Sequence, residues 1–307
     1  MIHDLIRPVR LRPGDVVRVI APSGPVFEDA FAPGAAILSA RYQLRYDPAT
    51  LFASQGFLAG SDGQRLASLV EALCDPEARA IFMGRGGHGL LRMASGLDLD
   101  LLRERPKPIV GFSDGTVLLA LAARAGVAAI HGPVVTQLGR LPEEDHLALY
   151  ALLESAEPRP LLAGLEALCP GNATGPLLGG NLEVFSRLLG TPLVPNLAGA
   201  ILFIEEVGER PYRIDRLLTH LELAGVFAAV SGVVVGDLVA CEEPAESRVA
   251  SPSALAVVRE RLGRLQIPVV LGAKVGHGAR NLSLPYGVRA SLDARAGTLV
   301  ALDGVVT

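Results

Sequence analysis

Acyl transfer by a hydroxyl needs a nucleophile, a base, a group that orients the base, and donors for the oxyanion. The candidate nucleophile is Ser113. It lies where a short apolar run, Ile109 to Phe112, gives way to an apolar helical pattern beginning near Thr116. A serine between a strand and a helix has its hydroxyl lifted out of the sheet, with helical N–H groups beside it. The local Gly-x-Ser-x-Gly pattern is weak by itself, because glycine supplies 34 of 307 residues, and a helix-capping serine would use the same residues. His277, flanked by glycines in Gly276-His277-Gly278 after the apolar run Ile267–Leu271, is the candidate base; His131, in His131-Gly-Pro133, is a rival. His220 falls in an apolar helical pattern, and His3 and His146 fall in polar stretches. Glu205 directly follows Ile201-Leu-Phe-Ile204, which makes it the candidate orienting carboxylate. Glu206 and Glu209 are rivals for which a solvated side chain is the simpler reading. The order serine, acid, histidine is one of the known orders for such a triad.

A glycine loop, Gly84-Arg85-Gly86-Gly87-His88-Gly89, follows another apolar run, Ala78–Met83. It lacks the Gly-Lys-Ser/Thr ending of a phosphate loop. Close backbone approach suits it better, with the Gly86 and Asp114 N–H groups forming an oxyanion hole. One such donor is worth about 3 kcal/mol in a transition state. A tight turn needing positive φ predicts the same glycines. Arg85 has the chemistry to bind a substrate carboxylate.

The elements that must carry these residues alternate. Strands are expected at Asp15–Ala21, Tyr42–Tyr46, Ala78–Met83, Ile109–Phe112 and Val127–His131. Helices are expected from about Glu28 to Ala40, with Pro33-Gly34 interrupting, from Ser61 to Cys74, and from Val117 to Arg124. Short connections between alternating strands and helices predict an α/β fold with a doubly wound parallel sheet, whose ligands bind at the carboxyl ends of strands. Residues 1–151 form this N-terminal nucleophile domain. Residues 152–174, rich in Pro, Ala and Glu without a clean period, are expected to be a linker. Residues 175–307 form a smaller, β-rich α/β domain that supplies Glu205 and His277. Its last stretch, Leu282 to Val306, reads as a small β element.

Half the residues are hydrophobic, 20% are charged and the formal net charge is −4, which describes a chain able to bury a core. No basic stripe points to nucleic acid. The three cysteines, Cys74, Cys169 and Cys241, form no metal-ligand pattern and read as free thiols in a reducing compartment. The first residues lack the pattern of a signal peptide, and no apolar run reaches membrane-spanning length. A cytoplasmic protein without a membrane partner is the expectation.

Taken together, the motifs resemble the LD-carboxypeptidase family, serine peptidases of bacterial peptidoglycan recycling. The resemblance runs through Ala21-Pro-Ser-Gly24, Phe57-Leu-Ala-Gly-Ser-Asp62, Arg85-Gly-Gly-His-Gly89, Gly111-Phe-Ser-Asp-Gly-Thr116 and His131-Gly-Pro133. It continues through Gly179-Gly-Asn-Leu182, Gly190-Thr-Pro192, Glu205-Glu-Val-Gly-Glu-Arg-Pro-Tyr-Arg-Ile-Asp-Arg216, Gly276-His277 and Leu284-Pro-Tyr-Gly287. It implies a triad of Ser113, Glu205 and His277, oxyanion donors at Gly86 and Asp114, no metal, no cofactor, and usually a homodimer with the active site where two domains meet. The implied reaction releases terminal D-alanine from a murein tetrapeptide by cutting an L,D bond. Arg85, His88, Arg213 and Arg280 are the motif-proximal candidates for substrate binding. The chain departs from the family pattern at His88, Phe112 and Gly115, where the family usually has tyrosine, tyrosine or histidine, and a larger apolar residue. Three rivals stand beside this expectation. Relatives that hydrolyse acyl-sulfamoyl adenylate antibiotics would benefit from an aromatic platform, and this chain has no tryptophan. An α/β-hydrolase esterase would leave the ordered motif set unexplained. A non-catalytic peptide binder would bind without turnover.

Overall fold

The structure is a computed structural model that describes residues 5–244, 246–247 and 250–307; His3 lies outside them. The chain divides into two units. The first runs to Glu157 and also contains Leu282–Gly287 and Gly304–Thr307; the second contains Pro158–Asn281 and Val288–Asp303.

The first unit begins with five parallel strands: β1 (Val16–Ile20), β2 (Gln43–Arg45), β3 (Ala78–Met83), β4 (Ile109–Gly111) and β5 (Ala129–His131). They lie in the order β2-β1-β3-β4-β5. From Ala80 to Met83 and throughout β4 and β5 every residue is buried, as a parallel sheet requires. The Asp62–Cys74 helix starts on a capping box between Ser61 and Gln64. Arg65 on that helix is buried, pairs with Asp62 and donates to the Pro22 carbonyl at 2.5 Å, tying the helix to the loop after β1. The Glu28–Ser39 helix is continuous through Pro33-Gly34. Gly34 is buried against the Val135 carbonyl, where a methyl group has no room, so the glycine serves a close approach instead of ending the helix.

The second unit holds β6 (Arg159–Leu162), β7 (Glu166–Cys169), β8 (Asn172–Asn181), β9 (Ile201–Val207), β10 (Gly232–Val239) and β11 (Val269–Leu271). The expected linker over 152–174 is therefore incorrect. It contains β6, β7 and the start of β8, and the unit boundary falls at Glu157/Pro158. β6 and β7 are the two outermost strands of an eight-stranded sheet. Outermost strands are short and accept proline, here Pro160, so neither shows a clear alternation in sequence.

The C-terminal stretch is divided between the units. β12 (Leu284–Tyr286) returns to the first sheet and pairs antiparallel with β5, Leu284 opposite His131. β13 (Arg289–Asp293) and β14 (Thr298–Ala301) form a hairpin in the second sheet, whose order is β6-β14-β13-β8-β9-β10-β11-β7. β8 is long enough to serve both halves of that sheet. Residues 172–176 pair antiparallel with β13, and residues 177–181 pair parallel with β9. β8 to β11 form the parallel core, and β9 leads to Glu205.

Candidate active site

In the first unit, Ser113 opens a 3-10 turn, Ser113–Gly115, between β4 and the Thr116–Arg124 helix. Its φ is +61°, a left-handed conformation that L-residues other than glycine rarely hold. Such a conformation costs on the order of 1–2 kcal/mol, so the surroundings must impose it. Gly115, not Ser113, occupies the cap position of the helix, and no side-chain bond caps it there. The Gly115 N–H donates to the Phe112 carbonyl at 2.9 Å, closing the turn.

The glycine loop lies directly against this serine. A methyl group on Gly86 would stand 2.9 Å from Ser113 Cβ and 3.0 Å from its Oγ, so only glycine fits. The loop is fixed from two sides: Gly24 N–H donates to the Gly86 carbonyl at 3.0 Å, and Leu90 N–H donates to buried Asp114 Oδ2 at 2.9 Å. The Asp114 side chain therefore links the serine turn to the exit of the glycine loop, a tie with no signal in the sequence. Gly111 and Gly115 both make room for Met83, whose sulfur would stand 2.7 Å from a methyl group on Gly115. Met83 fills space that a larger residue at 115 would take.

In the second unit, His277 Nδ1 lies 2.7 Å from Glu205 Oε2. The Glu205 side chain is wholly buried and that of His277 is 16% exposed. With Nδ1–H donating to the carboxylate, the neutral imidazole carries its lone pair on Nε2. A methyl group on Gly276 would stand 2.9 Å from both Glu205 Cβ and Cδ, so this glycine, with φ of +119°, makes room for the carboxylate. Gly276 N–H donates to Asn281 Oδ1 at 2.9 Å.

Glu206, expected to be solvated, is instead buried. Its carboxylate accepts from Asn181 Nδ2 (3.0 Å), Glu183 N (2.7 Å) and Val207 N (2.7 Å). Burial pushes it up to about 7, against the pull of those N–H donors and with the help of neighbouring Glu205. Glu206 staples β8 and the Leu182–Ser186 helix to β9, and strand alternation puts it on the face opposite Glu205. Glu209 pairs at the surface with Arg213.

The other candidates are spread over both units. Arg85 donates to the Pro25 carbonyl at 2.7 Å and lies over the exposed ring of Phe27. His88 is exposed against Phe57, which is exposed as well. In the second unit Arg213 bonds the Tyr212 hydroxyl at 3.1 Å, and Arg280 is half-buried near the His277 loop in sequence. His131 is buried at the end of β5 with its ring edge-on to Phe112. His220 is exposed, and His146 bonds the Leu138 carbonyl. Among the described residues no group of three or more His, Cys, Asp or Glu is placed to hold a metal ion, and no helix is long and apolar enough to cross a membrane.

A parallel α/β unit with a strained serine and a second unit with a buried carboxylate–imidazole pair define a hydrolase-like scaffold. The chain belongs to the LD-carboxypeptidase family: the model of the family's N-terminal domain matches residues 17–132, and that of its C-terminal domain matches residues 174–292. The murein tetrapeptide carboxypeptidase of Pseudomonas aeruginosa is 34% identical over 256 residues, covering 77% of this chain and 80% of that protein. The crystal structure of muramoyltetrapeptide carboxypeptidase from Oxalobacter formigenes superposes with a TM-score of 0.81 at 27% identity, covering 94% of this chain and 98% of that one. The microcin C7 self-immunity protein MccF of Escherichia coli is 27% identical over 270 residues, 77% of each chain.

Proposed function

We propose that this protein is a serine LD-carboxypeptidase that releases terminal D-alanine from murein tetrapeptides, with Ser113 as nucleophile, His277 as base and Glu205 as its orienting carboxylate. The observation that carries the reading is the 2.7 Å contact of His277 Nδ1 with buried Glu205, because it leaves Nε2 as the basic nitrogen. His277 takes the Ser113 hydroxyl proton as Oγ attacks the carbonyl of the diamino acid's L-centre. The Gly86 and Asp114 N–H groups receive the oxyanion. The tetrahedral intermediate collapses, the C–N bond breaks, and D-alanine leaves with the proton from His277. Water, deprotonated by His277, then hydrolyses the Ser113 ester. The exopeptidase must also bind a terminal carboxylate, for which Arg85, Arg213 and Arg280 have the chemistry, and His88 is a further contact. A homodimer acting in the cytoplasm, without metal or cofactor, completes the reading. The murein tetrapeptide carboxypeptidase relative and the structural neighbour support the peptide substrate in this reading.

A second reading follows from the MccF relative, whose structure has been solved in complex with aspartyl sulfamoyl adenosine: hydrolysis of an acyl-sulfamoyl adenylate antibiotic by the same three residues. Both readings are tested by offering the purified protein a murein tetrapeptide and an aminoacyl-sulfamoyl adenosine and following products by mass spectrometry. Tripeptide plus D-alanine is expected from the first, with turnover falling by about 10⁴–10⁶ in Ser113→Ala, His277→Ala and Glu205→Ala. Turnover of the adenosine compound alone would favour the second reading. Full activity in Ser113→Ala would defeat both.

A further inference from the structure

The His277 loop has a second carboxylate beneath it. β9 and β10 pair Ile204 with Val235 and Glu206 with Leu238, so Gly236 and Asp237 together stand opposite Glu205 alone. Two residues against one is a β-bulge, a device that bends a strand and re-aims a side chain. Here the bulge turns the backbone of β10 toward the histidine loop. Asp237 N–H donates to the Val275 carbonyl at 3.1 Å, and Ala273 N–H donates to the Val235 carbonyl at 3.1 Å. The bulge depends on Gly236, where a methyl group would stand 2.6 Å from the Val275 carbonyl oxygen and 3.1 Å from Glu205 Cβ.

The bulge also aims the Asp237 side chain. Its carboxylate accepts from the Gly278 N–H. A methyl group on Gly278 would stand 2.8 Å from Asp237 Cγ. Gly278 does not have a positive φ, so space and not conformation demands glycine there. The two glycines around His277 thus have parallel reasons. Gly276 makes room for Glu205 from β9, and Gly278 makes room for Asp237 from β10. Half-burial and the negative charge of Glu205 push the Asp237 carboxyl above its usual range, while the Gly278 N–H and the charges of Lys274 and His277 pull it down. Around the same pair, Glu206 on β9 and the thiol of Cys241 beyond β10 also feel Glu205.

We propose that Asp237 is a positioning residue for His277: through the Gly278 N–H it fixes the loop that presents the imidazole, and its charge favours the imidazolium formed when His277 takes a proton. Glu205 holds the ring directly; Asp237 holds the backbone beside it. The role in turnover rests on the proposed function, whereas the electrostatic coupling does not.

The test is Asp237→Asn, which keeps an oxygen for the Gly278 N–H and removes the charge. The titration midpoint of the His277 ring, followed by NMR without substrate, is expected to move down by about half to one pH unit. The acidic limb of kcat/KM on a murein tetrapeptide should move with it, and kcat should fall more than KM changes. Gly278→Ala tests the geometry separately. It should lower kcat, and Asp237→Ala in the same chain should restore part of the loss by vacating the space, a non-additive pair. An unmoved midpoint in Asp237→Asn together with strictly additive effects in the pair would overturn the proposal. Full activity of His277→Ala would instead overturn the proposed function, and the NMR midpoint alone would then decide the coupling.

Discussion

Ser113 and His277 are positioned by different means. Ser113 sits at a φ of +61° in a turn closed by main-chain bonds, with Gly86 packed against its side chain. His277 sits between two glycines, beneath which lie the carboxylates of Glu205 and Asp237. The first arrangement stores conformational strain; the second buries negative charge. Their failure modes differ accordingly. The serine turn should respond to changes in steric volume and backbone freedom, and the histidine loop to changes in charge and pH.

The largest expected effect that sharpens this contrast is at Gly86. Gly86→Ala places a methyl group against Ser113 and displaces a candidate oxyanion donor, so kcat should fall by about 10²–10³, with a nearly unchanged pH profile. A shifted acidic limb in this variant would mean that the serine turn also works through charge, and the contrast would break.

Next in size is the pH dependence contributed by Glu206, on the same strand as Glu205. Its carboxyl titrates at about 7 in the folded protein against 4.5 ordinarily. Between those values the folded state binds more protons than the unfolded state, so stability falls as pH rises through this window. The stabilisation is full below the ordinary value and lost above about 7, an effect of up to about 3 kcal/mol. Urea midpoints at pH 5 and pH 8 measure it. Glu206→Gln should flatten the decline, and an identical decline in both proteins would show that the charge lies elsewhere.

The smallest effect concerns the strain itself. Ser113→Gly should be more stable than Ser113→Ala by about 1 kcal/mol, since glycine holds positive φ freely and alanine does not. Denaturant unfolding of the two variants provides the comparison. Equal midpoints would show that the turn imposes no strain at this position.

Much of this is legible in the sequence. The apolar runs that become β1, β3, β4, β9 and β11 stand out because parallel strands are buried on both faces. Ser113, Glu205 and His277 stand out because each follows such a run. The edge strands β6 and β7 are hidden, since outer strands with Pro160 show no clean period. Glu206 reads as solvated because its partners, the Asn181 side chain and the Glu183 N–H, come from a different strand and helix. Asp237 escapes notice because a bulge leaves no signature beyond a single preceding glycine. The flanking glycines of His277 are plain in the sequence, but their reason, space for a carboxylate on either side, lies in tertiary packing.

The return of β12 to the first sheet has a consequence for biosynthesis. Five strands of that sheet are complete once His131 has been translated, yet the sixth consists of Leu284–Tyr286. Until that segment leaves the ribosome, β5 presents an unpaired edge of buried-type residues to the cell, an opening for misassociation during synthesis. The nascent first unit must stay in that state while the ribosome produces nearly the whole of the second.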